Sequence, residues 1–529
     1  MAKLAERVSS GETNPHSAPG SHSAPKWLVV AGVVVVVLVA IFAAGAPALS
    51  AVARSRILTA LGENFASDLQ IQHLKVSLFP SVAMSGDSVV FRRKGHPDDP
   101  PLIRIARFTA NGNIFGLLAR HVSLVRLEGL DIRVPPKDPD VKSTPAPKKN
   151  VPYFVIDEII ADGTKLATIP RDSWKEPLVF DIKTLRMHRG GSETPLSFDA
   201  VLINAKPPGE ISSKGTFGPW DKAEPGDTPV AGGYTFRNAD LSVFKGIRGT
   251  LSSDGNYQGA LGHIEAKGHT DVPDFMVTLA GNPVHLVTDY QAVIDGTSGN
   301  TYLQPVTAKF GHSTVVANGS VEGKQGVAGK TVSLDAVVAD GRLEDMLRLG
   351  VHAAKPPLSG AISFHSKIVI PPGNIDVVQK LQLDGAFVVA SAQFSELNVQ
   401  EKVNDLSHRG EGNPDDADAP TVASDFHGKF SLDRGVLELR DLAFTIPGVT
   451  IALTGQYGLQ SESLRFQGTA TLAAKLSQTT TGFKSALLKA LDPLFKKKGS
   501  AAGAVIPITI SGTKDHPTFG LDVFHRGEK

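Results

Sequence analysis

Residues 449–457 read Val-Thr-Ile-Ala-Leu-Thr-Gly-Gln-Tyr, with Val449, Ile451, Leu453 and Tyr457 at alternate positions and small or polar residues between them. Successive side chains of a strand point to opposite faces, so this segment has one oily face and one wet face. The pattern recurs. Leu74, Val76 and Leu78 share a face, as do Leu130, Ile132 and Val134. Phe466 belongs to the apolar set of 464–472, and Ile506, Ile508 and Ile510 to that of a segment near the C-terminus. Half-solvated strands of this kind build antiparallel sheets. The long helices that a parallel α/β sheet needs are missing. Gly (52) and Pro (35) are frequent, as short strands joined by many turns require. Gly/Asn/Asp pairs at 111–112, 162–163, 254–255, 295–296, 318–319, 340–341 and 384–385 predict hairpin turns.

One segment breaks this pattern. Residues 27–46, with Trp27, Leu28, Val33, Val37, Ile41 and Phe42 along them, carry no charge and no strongly polar side chain. At ~1.5 Å per residue the run spans about 30 Å, the thickness of a bilayer's hydrocarbon core. A wholly buried core helix and a cleaved signal peptide are the alternatives. The run exceeds the ~7–15 residues of a signal-peptide core, and Pro47 follows the small residues Ala44-Gly45-Ala46. The expectation is a retained single-pass anchor. The charges flanking it barely favour either orientation, so the short tail is placed inside and the long domain outside.

The expected division is a disordered tail over 1–26, the transmembrane helix over 27–46, and a helix-and-sheet region over 47–134. A Pro/Lys-rich loop covers 135–152, a β-rich region 153–400, a polar loop 401–420, and a C-terminal β region 421–529. Helices are expected at 50–65, 341–349 and 483–495. The last carries an apolar stripe of Phe483, Leu487, Leu488, Leu491 and Leu494 with Lys496–Lys498 behind it. It reads as a helix packed on the sheet, with a membrane-surface helix as the alternative.

Composition removes several functions. The 54 Lys+Arg and 53 Asp+Glu balance, against a general nucleic-acid binder. The absence of cysteine excludes thiol nucleophiles, disulfides and cysteine-ligated metals. Residues 323–331 superficially resemble a phosphate-binding loop, but position 324 is Lys where glycine is needed, and 332–338 reads as a strand. A hairpin turn is expected there. Asp415, Asp416 and Asp418 lack the spacing of a calcium loop. The scattered histidines, His263, His269, His285, His312, His352 and His365 among them, are read as structural. No catalytic residue, cofactor site or metal site is predicted.

The order of segments carries a resemblance. After the apolar run and an amphipathic stretch come 69–81 (LQIQHLKVSLFPS), 87–91 (DSVVF) and 122–134 (VSLVRLEGLDIRV). Near the end come 436–444 (VLELRDLAF), 455–459 (GQYGL) and 506–519 (IPITISGTKDHPTF). This order resembles AsmA-like proteins, which are similar to TamB-type and chorein-like bridge proteins. The resemblance covers about the first hundred residues past the anchor and the last hundred.

It implies a bacterial inner-membrane protein with a large periplasmic domain. The implied fold is mainly β, a long antiparallel sheet bent into a trough with a few short helices. The implied role is carrying or chaperoning phospholipid or another acyl lipid between inner and outer membranes. Its partners would be the inner membrane, lipid, and outer-membrane or envelope assembly proteins. The family supplies no catalytic residues. Candidates for an apolar groove are Leu74, Val76, Leu78, Val89, Phe91, Leu130, Ile132, Ile451, Leu453, Phe466 and Ile508. A non-conducting scaffold for outer-membrane protein biogenesis, its oily faces sealed against each other, is the alternative. An enzyme is a distant third.

Overall fold

A computed structural model describes residues 67–77, 82–93, 101, 103–113, 121–134, 155–168, 178–190, 195–218, 227–296, 298–324, 327, 329–414, 422–480, 503–514 and 516–521. They are mainly strand, and the 26 strands belong to one sheet. The expected anchor at 27–46 and helices at 50–65 and 483–495 lie outside these residues, as does the loop at 135–152. No helix among the described residues is long and apolar enough to cross a membrane.

Pairing follows chain order from Ser67–Ser77 to Pro517–Leu521, and nearly every step is antiparallel. The exception lies early. His121–Glu128 and Asp131–Val134 together form one interrupted rung, and Val155–Ile160 and Thr164–Thr168 form the next. These two rungs pair in parallel, Val125 with Ile159 and Ile132 with Leu166. A parallel step cannot be made by a tight turn; it needs a connection of a dozen or more residues. The Pro/Lys-rich stretch supplies that length. With such interruptions merged, the sheet has roughly 23 rungs, which at ~4.8 Å spacing gives about 105 Å along the hydrogen-bonding direction.

Regular alternation is repeatedly reset by bulges. Leu439 faces inward, Arg440 and Asp441 face out, and Leu442 faces inward again, with Asp441 at φ 51°. The same in–out–out–in pattern occurs at Phe236-Arg237-Asn238-Ala239, Val338-Ala339-Asp340-Gly341 and Val389-Ala390-Ser391-Ala392. An extra outward residue reverses side-chain parity, bends the strand and adds twist. It also keeps strands longer than their straight limit on a curved surface.

Curvature has a visible consequence. The turn after strand Leu358–Ile370 reaches the turn after Pro229–Asp240, where the Val377 N–H donates to the Lys245 carbonyl at 2.8 Å. These turns lie on opposite edges of the sheet, about seven spacings or 34 Å apart along it and a strand length of roughly 35 Å apart across it when flat, so twist and coiling bring them together.

Among the described residues, three short α-helices attach to the sheet: α1 (Leu343–Gly350), α2 (Val377–Lys380) and α3 (Leu397–Glu411). Helix α1 sits where a helix over 341–349 was expected. Its Leu343 packs with Ile362, Val389 and Ala392. Helix α3 corrects the expected polar loop over the first half of 401–420. It lacks a broad apolar stripe, and Val403 is its buried contribution to a cluster with Ile446, Val449, Leu472 and Ala504. Polar contacts do the rest. The Gln400 side chain accepts from the Phe394 N–H and donates to the Val422 carbonyl, while the Ser407 hydroxyl donates to the Pro447 carbonyl. Asn404 accepts from the Val422 N–H at 3.0 Å.

The glycine-containing dipeptides also need correcting. Asp295-Gly296 does begin a turn between strands. Asp254-Gly255, Asn318-Gly319 and Asp384-Gly385 lie within strands instead. Asn111-Gly112 ends a strand, Asp340-Gly341 forms a bulge, and Asp162-Gly163 interrupts a rung. In the mid-strand cases the polar residue faces out and the glycine faces in, beneath a neighbour's backbone or ring. A Cβ on Gly385 would lie 2.3 Å from the His365 carbonyl oxygen and 2.9 Å from the Phe430 ring. The turn at 323–331 is a hairpin, pairing Gly323 with Lys330.

Candidate functional site

The register decides whether the oily faces of separate strands coincide. Residues paired across strands point to the same side. Starting from Met84, one such row passes through Ala110, Val125, Ile159, Met187 and Phe198. It continues through Gly215, Gly232, Tyr257, Ala266, Ala292 and Leu303. Gly319, Leu334, Ile368, Leu383, Leu432 and Leu437 follow. It ends through Tyr457, Leu464, Gly512 and Pro517. No position in it is charged, an amide or an aliphatic alcohol.

The opposite face contrasts with it. There one row reads Asn318, Asp335, Lys367, Asp384, Ser431, Glu438, Gln456, Arg465, Ser511 and Thr518. Cross-strand ion pairs cover this face: Lys214 with Asp199 at 2.7 Å, Lys429 with Asp441 at 2.9 Å, and Arg440 with Asp384 at 3.4 Å. His269, His285 and His365 pair with Asp289, Asp271 and Asp335 on it. Exposed pairs of this kind add little stability, but they keep the face wet.

The apolar face is not uniformly closed. At its N-terminal end Val89, Ile105, Phe108 and Val125 are fully buried. Further along, Leu334, Ile368, Leu383, Leu437 and Leu464 are half-exposed, while the ends of the strands near α1 and α3 are sealed by the two clusters described above. The later half of the sheet therefore offers an apolar surface closed along one edge and partly exposed along the rest, with Ala336, Ser366 and Leu432 still buried.

The groove candidates divide accordingly. Ile451, Leu453, Phe466 and Ile508 share this face and are half-exposed. Leu453 and Ile508 both flank Gly468, and Phe466 stands between Gly455 and Ile510. Val89, Phe91 and Leu130 lie in the closed core, and half-buried Ile132 joins Phe91 through Ile103. Val76 is the register partner of Met84. Leu74 is in the same strand, and Leu78 lies outside the described residues.

Sequence reasoning missed one feature of this face. Tyr234, Tyr257 and Tyr290 gather on three strands above Gly232, Gly255 and Gly268. A Cβ at Gly268 would come within 2.8 and 2.9 Å of the Tyr234 and Tyr290 hydroxyls, so the glycines make room for the rings to lie along the sheet. Tyr257 meets the Ser213 hydroxyl at 2.8 Å, Tyr234 meets Ser253 at 2.9 Å, and Tyr290 meets Tyr234. Burial raises the Tyr257 and Tyr290 hydroxyls above the ordinary phenol range. The available signal was three tyrosines each paired with a glycine of a neighbouring strand, in place of a turn at Asp254-Gly255.

Among the described residues no group of three or more His, Asp or Glu side chains has a metal-binding arrangement. No protein-family model, curated protein or solved structure matches this chain.

Proposed function

We propose that the chain is a membrane-anchored periplasmic protein whose apolar β-face carries or chaperones phospholipid or another acyl lipid between inner and outer membranes, in support of envelope assembly. It is not an enzyme in this reading. The sheet would form a trough, with acyl chains along its inner face and head groups in water. The single observation that carries the proposal is the row from Met84 to Pro517, free of charge and, apart from buried Leu432, half-exposed or exposed over its later rungs. Each lipid CH₂ left in water costs ~0.8 kcal/mol, so a continuous oily surface lowers the cost of crossing an aqueous gap. The residues that resemble AsmA-like proteins at both ends of the chain point the same way.

Leu453 and Thr454 give the test, because they are adjacent and face opposite sides, the first half-exposed and the second exposed. Full-length protein is titrated with a phospholipid bearing a fluorophore on its acyl chain. Leu453→Asp should weaken binding about tenfold or more, since displacing two methylenes alone costs about 1.6 kcal/mol. Thr454→Asp should change it less than about twofold. Equal effects, or no binding by the unaltered protein, would contradict the proposal.

A further inference from the structure

The hydrogen-bond directions in the tyrosine cluster are fixed by counting protons. The Ser213 hydroxyl donates its one proton to the Gly233 carbonyl at 2.9 Å, and that of Ser253 goes to the His269 carbonyl at 2.8 Å. Neither serine has a proton left for a tyrosine. Tyr257 therefore donates to Ser213, and Tyr234 donates to Ser253. Tyr234 having spent its proton, Tyr290 donates to Tyr234. Both chains end on a phenolic oxygen, Tyr257 in one and Tyr290 in the other, with lone pairs still available and no proton to give.

We propose that these two oxygens form an acceptor-only subsite for the polar part of an amphipathic ligand that carries a hydrogen-bond donor, a primary ammonium or a hydroxyl. This rests on the lipid-groove reading and adds a selectivity to it. The two tyrosines are half-exposed on the same face as the apolar row, and Tyr257 belongs to that row. Along the face, Gly232, Gly268, Ala266 and Ala292 supply contact but no side-chain hydrogen bond, and the paired Thr270 and Thr288 hydroxyls follow beyond Gly268 and Tyr290. A phosphate oxygen finds no donor at these two phenolic oxygens and is disfavoured there. An ammonium N–H meets one or two acceptors in a partly desolvated setting, where a hydrogen bond to a charged group is stronger than a neutral one.

The test compares phosphatidylethanolamine with phosphatidylcholine, both carrying the same acyl-chain fluorophore, in equilibrium binding to the full chain. The headgroups differ in whether the ammonium has N–H donors. The unaltered protein should bind the ethanolamine lipid roughly 3–10-fold more tightly, as one or two additional hydrogen bonds allow. Tyr257→Phe/Tyr290→Phe keeps the rings but removes both acceptors. It should bring the ratio to about one while leaving choline-lipid affinity within about twofold. Tyr257→Phe alone, which leaves the Tyr234–Tyr290 chain intact, should reduce the ratio part-way and serves if the double variant folds poorly. A ratio near one in the unaltered protein, or a ratio retained in the variants, would overturn the subsite while leaving the groove in place. Failure of both lipids to bind would overturn the groove reading and the subsite together.

Discussion

Phe108→Ala should destabilise the folded protein by about 3–5 kcal/mol, whereas Phe466→Ala, on the same sheet, should cost only about 1–2 kcal/mol. Phe108 is 1 % exposed and lies in a closed core with Val89, Ile105 and Val125. Truncation there loses the transfer energy of the ring and leaves a cavity, because close-packed neighbours relax only partly. Gly86 faces the same ring: a Cβ there would come within 2.5 Å of Phe108 Cε1. Phe466 is half-exposed between Gly455 and Ile510, so solvent or ligand fills the space it vacates. Urea denaturation of the two variants, read by far-UV circular dichroism, checks the difference. Equal large losses would show that the later half of the sheet is as tightly closed as its start.

Gly468→Val should cost at least about 3 kcal/mol, through overpacking rather than a cavity. Gly468 pairs with Leu453 on one side and Ile508 on the other. A Cβ added there would lie 1.8 Å from the Ala452 carbonyl oxygen, which the sheet holds in place. Relief requires separating strand Val449–Gly458 from Ser463–Leu472. Gly435 is a contrast: it has φ 75°, and no atom lies within 4 Å of its would-be Cβ, so alanine there meets backbone strain without a clash. The same denaturation experiment should rank Gly468→Val well above Gly435→Ala. The reverse order would mean that the inner surface at Gly468 is loose.

The period-two pattern makes much of this architecture readable before any coordinates. Ile451, Leu453, Phe466 and Ile508 face one side because their strands alternate cleanly and pair in register. Where bulges intervene, parity read from sequence alone fails. Val89 and Phe91 return to the buried face only because Asp87 and Ser88 both turn away from it, with Ser88 at φ 53°. Asp-Gly and Asn-Gly pairs are the strongest local turn signals, yet inside a strand the same pair satisfies a wet outer face and a crowded inner one. The tyrosine cluster stayed hidden partly for that reason, since Asp254-Gly255 reads as a turn while Gly255 lies beneath Tyr234. Helix α3 was obscured because it docks largely through Gln400, Asn404 and Ser407, side chains that read as loop. Register between distant strands is a tertiary property, and it turns separate oily segments into one uninterrupted row.

Photo-crosslinking within that row tests the central claim most directly. A photoreactive residue is placed in turn at Ile451, Leu453, Thr450 and Thr454 of the full-length protein in cells. The first two are half-exposed on the apolar face, and the last two are exposed on the polar one. The account predicts phospholipid adducts at Ile451 and Leu453 and none at Thr450 and Thr454. Absence of adducts at all four positions, together with unfolding on Ile451→Asp, would contradict it and mark the face as a sealed core of a scaffold.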